Sequence, residues 1–226
     1  EFPGALIVGE IWHYAADFLQ GDEWDSVMNY PFNNAVVDFA AEQRLTATEF
    51  LNELGFLRGN YHNAVHPILW NLIGSHDTAR ILHLCGENKQ RQKLAAALQL
   101  LTPGMPMIYY GDEVGMTGDK DPDCRRGMLW DPSRWDGTTW DHYRQLLRIR
   151  KAYPAITEAR LIREAAWDDL ALVRITRELK GQKTTVIFHA ADGAVQLPEL
   201  AGKRDLLTGT TFDGTLTGFA AMVFCE

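Results

Sequence analysis

The chain opens on an apolar run that ends on an acid, Ala5-Leu6-Ile7-Val8-Gly9-Glu10-Ile11-Trp12. Consecutive Leu, Ile and Val leave no polar face, which is typical of a strand buried on both sides of a parallel sheet. Gly9 allows another backbone or a ligand to approach closely, and Glu10 follows where the strand emerges. A carboxyl held against Ile11 and Trp12 is desolvated, so its proton becomes available for donation. The simpler interpretation is an acid that caps a strand end and pairs with an arginine.

Three later segments repeat this pattern of apolar residues followed by polar ones. They cover residues 25–31, which stop at a proline, residues 67–77 and residues 105–113. Helical spacing and helix-start signals lie between these segments and after the last of them. The predicted helices span about 32–42, 46–57, 89–101 and 140–153.

Beyond Pro154 the pattern changes to short strands. Strand candidates cover 170–177, 184–189 and 219–224, with turn signals at 192–193 and 213–214. The sequence therefore predicts two domains, a parallel α/β unit over residues 1–154 and a small antiparallel all-β domain over residues 155–226.

Composition narrows the classes of partner. A formal net charge of −8 argues against nucleic acid and anionic membranes, and no apolar run approaches the ~18 residues of a membrane span. The three cysteines, Cys85, Cys124 and Cys225, are widely spaced. An odd number without Cys-x-x-Cys pairs suits a reducing, cytoplasmic compartment and gives no metal-binding signature.

Polar residues collect where the predicted strands end, first Glu10, then Asn29, then His76-Asp77, then Tyr110 and Glu113. In a (β/α) barrel that face carries the active site, although eight strands close such a barrel and four are predicted here. Paired acids on one rim, Glu10 and Asp77, indicate glycoside hydrolysis. His76-Asp77 could also be a structural pair or half of a metal site.

Several motifs resemble successive signature regions of the alpha-amylase family. They are residues 9–12, 74–78 and 104–113, in that order, and residues 118–126 resemble the loop after the last barrel strand. Glu-Ile-Trp-His at 10–13, Gly-Ser-His-Asp at 74–77 and Asp-Pro-Asp-Cys-Arg-Arg at 121–126 are most similar to the neopullulanase, cyclomaltodextrinase and maltogenic amylase branch.

The resemblance implies a fold and a mechanism. The chain would be the carboxyl-terminal half of a (β/α)8 TIM barrel, strands 5–8, followed by a small all-β antiparallel domain. Glu10 matches the general acid/base of a retaining hydrolase of α-1,4-glucosidic bonds in maltodextrins, cyclodextrins or pullulan. Asp77 matches the acid that stabilises the transition state, and His76 matches a histidine that binds sugar hydroxyls.

The resemblance also implies substrate-binding residues. Asp121 and Arg125 match a sugar-binding pair further along the cleft, and Trp12 and His13 are expected to line the subsites nearest Glu10. The expected partner is therefore an α-glucan oligosaccharide.

Two departures from the family pattern matter. Position 75 is Ser, where many members have Asn before His-Asp. The family's nucleophile, an Asp in a Gly-x-Arg-x-Asp setting, has no counterpart in the sequence, and neither have the first Asn-His region and the usual calcium ligands. We therefore expect sequence upstream of Glu1 to be missing, the chain alone to be inactive, and no cofactor in this chain, with calcium possible in a full-length parent.

A half barrel leaves open sheet edges, which predicts self-association or pairing with the missing half. Two non-catalytic interpretations stay open. One is an amylase-like partner protein with an inactive barrel, against which the intact Glu10 and His76-Asp77 argue. The other is a glycan-binding module, which would bind sugar without turnover.

Overall fold

The computed structural model describes residues 2, 4–158 and 160–226 of the chain. Its strands are β1 (Val8–Gly9), β2 (Ser26–Val27), β3 (Trp70–Leu72), β4 (Met105–Met107), β5 (Arg160–Trp167), β6 (Leu172–Leu179), β7 (Gln182–His189), β8 (Ala194–Gln196), β9 (Thr215–Thr217) and β10 (Ala220–Cys225). Its α-helices are α1 (Tyr30–Val36), α2 (Ala47–Asn60), α3 (Ile81–Leu84), α4 (Lys89–Leu100) and α5 (Gly137–Ala152), and a π-helical turn (Val37–Ala41) continues α1. Among the described residues, no helix combines the length and apolarity needed to cross a bilayer.

The first four strands run parallel. β1 pairs with β2 and β3 pairs with β4, while a bridge between Met28 and Trp70 joins the two pairs in the order β1-β2-β3-β4. Each ladder has only two or three residues, far fewer than the apolar segments predicted for them. Because the strands are parallel, their carboxyl ends meet at one edge of the sheet.

The segment after β2 differs from its prediction. The sequence suggested a strand that stops at Pro31, but α1 already begins at Tyr30. Asn29 is its N-cap, with a side chain that accepts a hydrogen bond from the Phe32 amide. Proline is favourable in a first helical turn because the amide it lacks would have no helical partner there. The prediction for α2 is confirmed, since Thr46 and Glu49 form a capping box at its start.

Helix α5 fixes the end of α4 and the start of β4. Arg150 donates from Nη1 to the carbonyls of Leu100 (2.7 Å) and Thr102 (3.0 Å), and from Nη2 to the carbonyl of Gly104. Gly104 has φ +123°, and a side chain there would overlap the amide of Asn71. One arginine thus satisfies carbonyls that the last turn of α4 and the following turn leave without helical partners.

Antiparallel strands fill the rest of the chain. β5, β6, β7 and β10 form a sheet in the order β10-β7-β6-β5, and β8 pairs separately with β9. Alternate residues of the sheet point to opposite faces. One face shares the main apolar core with the helices through Val173, Ile175, Val186, Phe188 and Val223. The other face forms a second core from Leu172, Ile187 and Phe224 with the region of β8 and β9.

Candidate active site

Three of the predicted residues converge at the carboxyl edge of the parallel sheet. Glu10 directly follows β1, and His76 and Asp77 lie in the turn after β3. One ligating atom from each of the three side chains lies within 4.8 Å of the other two. All three residues are exposed. Two carboxyls and an imidazole that face solvent together can transfer protons and bind hydroxyl groups.

Glu10 is held by a tyrosine that the sequence did not single out. The Tyr30 hydroxyl donates to Glu10 Oε1 at 3.2 Å and lies 3.1 Å from Ser75 Oγ. Burial raises the pKa of Tyr30 to about 12, and the nearby Glu10 charge acts in the same direction. Tyr30 therefore stays protonated at neutral pH and remains a hydrogen-bond donor to Glu10.

The expected desolvation of Glu10 is wrong for this structure. Glu10 is exposed, and the Trp12 ring stacks on the Tyr30 ring, with centroids 4.0 Å apart and planes at 20°. Trp12 itself is 51% exposed. The Glu10 carboxyl is therefore open to solvent, and a stacked aromatic pair lies next to it through the Tyr30 hydrogen bond.

Both oxygens of Asp77 have partners. Arg125 Nη2 donates to Asp77 Oδ1 at 2.8 Å, and His76 Nε2 lies 3.3 Å from Asp77 Oδ2. The Asp77 amide donates to Ser75 Oγ at 3.1 Å. These contacts fix the carboxylate in one orientation beside Glu10.

Arg125 connects the predicted sugar-binding pair to this cluster. Its Nε donates to the His76 carbonyl at 2.9 Å and lies 3.0 Å from Asp121 Oδ1. Cys124 Sγ also donates to the His76 carbonyl, at 3.3 Å. The turn after β3 and the 121–125 segment are therefore tied together.

His13 is exposed and lines a depression with Trp12, Tyr14, Asp38 and Phe56. Within the described part of the chain, no hydrogen bond or ion pair joins His13 to Glu10 or Asp77.

A buried ion pair lies behind the site. Arg80 Nη1 donates to Asp112 Oδ1 at 3.0 Å, and the two side chains are 0% and 1% exposed. Burial raises the pKa of Asp112 to about 7, an effect that outweighs the attraction of Arg80. The sequence pattern pointed to Tyr110 and Glu113 at the end of β4, but to neither Asp112 nor Arg80.

The geometry of Glu10, His76 and Asp77 would also allow these residues to ligate a metal ion. Exposed acidic groups are commonly this close without one. A cavity of about 390 Å³ lies elsewhere, lined by residues that precede β3 and β4, such as His66, Pro67, Thr102 and Pro103. Glu10, His76 and Asp77 do not line it.

Comparison with known proteins is consistent with this architecture. A family model described as "Alpha amylase, catalytic domain" matches residues 2–170. The chain is 38% identical over 215 residues to a cyclomaltodextrinase from Geobacillus thermopakistaniensis, and 39% identical over 218 residues to neopullulanase 2 from Thermoactinomyces vulgaris. These alignments cover 93% and 94% of this chain but only 37% of either relative.

Solved structures give the same result. A structure named cyclomaltodextrinase matches with a TM-score of 0.91 at 32% identity, over 99% of this chain and 41% of the other. The cyclic alpha-maltosyl-(1→6)-maltose hydrolase from Arthrobacter globiformis matches with a TM-score of 0.85 at 30% identity, over 98% of this chain and 49% of the other. The chain thus spans less than half the length of these relatives.

Proposed function

Because this chain belongs to the alpha-amylase family, we propose that it supplies the proton-transfer side of a retaining glycoside hydrolase. The proposed substrates are α-1,4-linked maltodextrins, cyclodextrins or pullulan, in keeping with relatives named cyclomaltodextrinase and neopullulanase. The proposal depends above all on one observation, the convergence of Glu10, His76 and Asp77 within 4.8 Å.

We assign the two acids different roles from their contacts. Glu10 is open to solvent and accepts one hydrogen bond, from Tyr30, so it is free to give and take the proton of a glycosidic oxygen. Asp77 has both oxygens engaged by Arg125 and His76. A carboxylate in that state is poorly placed to attack carbon, but it can hold sugar hydroxyls and stabilise positive charge on the ring.

A retaining mechanism also requires a nucleophilic carboxylate about 5–5.5 Å from the acid/base. No Gly-x-Arg-x-Asp segment occurs in this sequence. We propose that the nucleophile lies in a part of the barrel outside this chain, and that the chain alone does not turn over substrate.

The proposed fold assignment follows from the same relatives. We equate β1–β4 with strands 5–8 of a (β/α)8 barrel and residues 155–226 with the all-β domain that follows it. β1 and β4 have one strand partner each among the described residues, and Leu6, Ile7 and Met105 on or beside them are 62%, 50% and 44% exposed. The proposed occupant of these edges is the remaining barrel half, with a second copy of the chain as substitute.

The other predicted residues receive binding roles in this proposal. Trp12 offers an exposed aromatic face beside Glu10 on which a glucose ring can stack. His76, Asp121 and Arg125 contact hydroxyl groups around Asp77, and His13 binds sugar further from the acids. No cofactor in this chain is needed for these steps.

We propose a cytoplasmic location. The thiols of Cys85, Cys124 and Cys225 are free, which suits a reducing compartment. One relative, 30% identical over 197 residues, is named intracellular maltogenic amylase, from Bacillus subtilis.

The test combines intact mass, binding and turnover. The purified chain is checked by mass, titrated with maltotriose in a calorimeter, and assayed on maltotriose and a cyclodextrin. We expect sugar binding without turnover, and loss of binding in Asp77→Asn but not in Glu23→Gln, an exposed acid outside the cluster. In a longer form that contains the nucleophile, Glu10→Gln should lower kcat by about 10²–10⁴-fold.

The outcomes separate the alternatives. Turnover by the 226-residue chain that Glu10→Gln abolishes would place the nucleophile within this chain and overturn our assignment. Unchanged sugar affinity in Asp77→Asn would show that Asp77 does not bind sugar, and would overturn the proposed site. Binding without turnover even in the longer form would favour a glycan-binding protein.

A further inference from the structure

Arg80 lies at a junction of three segments behind the site. Its backbone amide donates to the Gly118 carbonyl at 2.9 Å, and its Nη1 donates to the Tyr110 carbonyl at 2.8 Å. Asp112 accepts a second hydrogen bond from the same Nη1. Arg80 therefore joins the turn that carries Asp77 to the exit of β4 and to the start of the 118–126 loop.

The guanidinium of Arg80 also packs against two tyrosine rings. Its Cζ lies 4.6 Å from the ring centroid of Tyr109 and 5.0 Å from that of Tyr110. In the part of the chain that the structure describes, Nε and Nη2 of Arg80 have no hydrogen-bond partner. The planar group is thus held by two hydrogen bonds from Nη1 and by two aromatic faces, an arrangement that a lysine cannot reproduce.

The hydroxyls of the same two tyrosines hold the backbone on either side of Arg125. Tyr110 Oη donates to the Arg126 carbonyl at 2.7 Å, and Tyr109 Oη donates to the Cys124 carbonyl at 3.4 Å. Arg125 is exposed, and its side chain reaches the His76 carbonyl and Asp77 from this short backbone segment. Its contacts with Asp77 depend on where these two carbonyls are anchored.

We propose that Arg80 is a positioning residue, which orders Tyr109 and Tyr110 so that their hydroxyls place Arg125 on Asp77. In this arrangement the buried guanidinium of Arg80 fixes the two tyrosine rings, and their hydroxyls fix the backbone of residues 124–126. That backbone places the guanidinium of Arg125 against Asp77. The role in catalysis rests on the proposed function, whereas the mechanical link between Arg80 and Arg125 does not.

The link is tested by NMR on the whole chain, labelled with ¹⁵N-arginine. The Arg125 Nε–H resonance, identified by its loss in Arg125→Lys, reports the hydrogen bond to the His76 carbonyl. We expect its exchange with water to be about threefold faster or more in Tyr110→Phe and in Arg80→Lys. Tyr143→Phe is the matched control, because Tyr143 is a buried tyrosine whose hydroxyl has no partner among the described residues.

A purely structural role for Arg80 predicts a lower melting temperature with the Arg125 signal unchanged. That result in a folded Arg80→Lys chain would overturn the proposal. If Arg80→Lys does not fold, the Tyr109→Phe/Tyr110→Phe double variant decides, since an unchanged Arg125 signal there also overturns it. Maltotriose titration of the unmodified chain is run in parallel, so that a failure of the proposed sugar site is seen separately from a failure of the link.

Discussion

Replacement of Asp112 by alanine should destabilise the chain strongly. The substitution leaves the guanidinium of Arg80 fully buried with the Tyr110 carbonyl as its remaining hydrogen-bond acceptor among the described residues. Removal of one partner from a buried ion pair costs about 3–5 kcal/mol. For a chain of this size, 1 kcal/mol shifts the melting temperature by about 2–4 °C, so we expect a decrease of roughly 6–20 °C.

The assay is thermal and urea unfolding followed by circular dichroism. The control is the double variant Arg80→Met/Asp112→Leu, which removes both charges and keeps apolar volume. Replacement of a buried pair by well-packed apolar groups is often neutral or stabilising, so this variant should recover most of the lost stability. An Asp112→Ala chain within about 1 kcal/mol of the parent would refute the premise that an unpaired Arg80 is costly.

The same carboxyl predicts a pH dependence. Burial raises the pKa of Asp112 from 3.8 to about 7, so the native state binds a proton that the unfolded state releases over that range. The resulting stability is fully present below pH 3.8 and is lost as the pH rises through about 7. Relative to Asp112→Asn, the parent chain should therefore gain unfolding free energy between pH 8 and pH 5. A difference that does not vary with pH would contradict the raised pKa.

Three further predictions concern other parts of the fold. Asp136→Ala removes the N-cap of α5, whose side chain accepts hydrogen bonds from two backbone amides, and should lower the free energy of unfolding in urea by about 1 kcal/mol or more. Asp136→Asn should cost less, because it keeps the cap and loses only the ion pair with Lys89. Gly9→Ala would force a methyl group into the ring of Trp24. We therefore expect the free energy of unfolding to fall by about 1–3 kcal/mol and the tryptophan fluorescence to change. Unchanged stability and fluorescence would show that the ring can move aside. An alkylating reagent should modify Cys225 first and Cys85 last, as followed by mass spectrometry, because burial raises the pKa of Cys85 to about 12. Early labelling of Cys85 would contradict its burial.

The sequence could place Glu10, His76 and Asp77 because each follows an apolar segment directly. When strands are parallel, position after a strand brings residues towards one edge, but it did not bring Asn29 into the cluster, because Asn29 caps α1. Tyr30 could not be found in that way. It begins a helix, and its closeness to Glu10 depends on how that helix packs beside the sheet.

Other features depend on contacts between distant residues. β5 escaped prediction because its segment, Arg160–Trp167, mixes Arg, Glu and Ala, which are not typical strand formers, and it becomes a strand by pairing with β6. The ion pair of Arg80 with Asp112 joins residues 32 positions apart. The exposure of Glu10 was predicted wrongly because the partner of the Trp12 ring, Tyr30, was not known.

The three carbonyl contacts of Arg150 have a consequence for the order of assembly. The end of α4 and the turn into β4 receive their donors from a residue 46–50 positions further along the chain. During synthesis, all residues of α4 are therefore made before Arg150 is available to donate to the carbonyls of its last turn. We expect amide hydrogen exchange at the start of β4 to become slow only after α5 has docked, so that the last parallel strand is among the later parts of this region to mature.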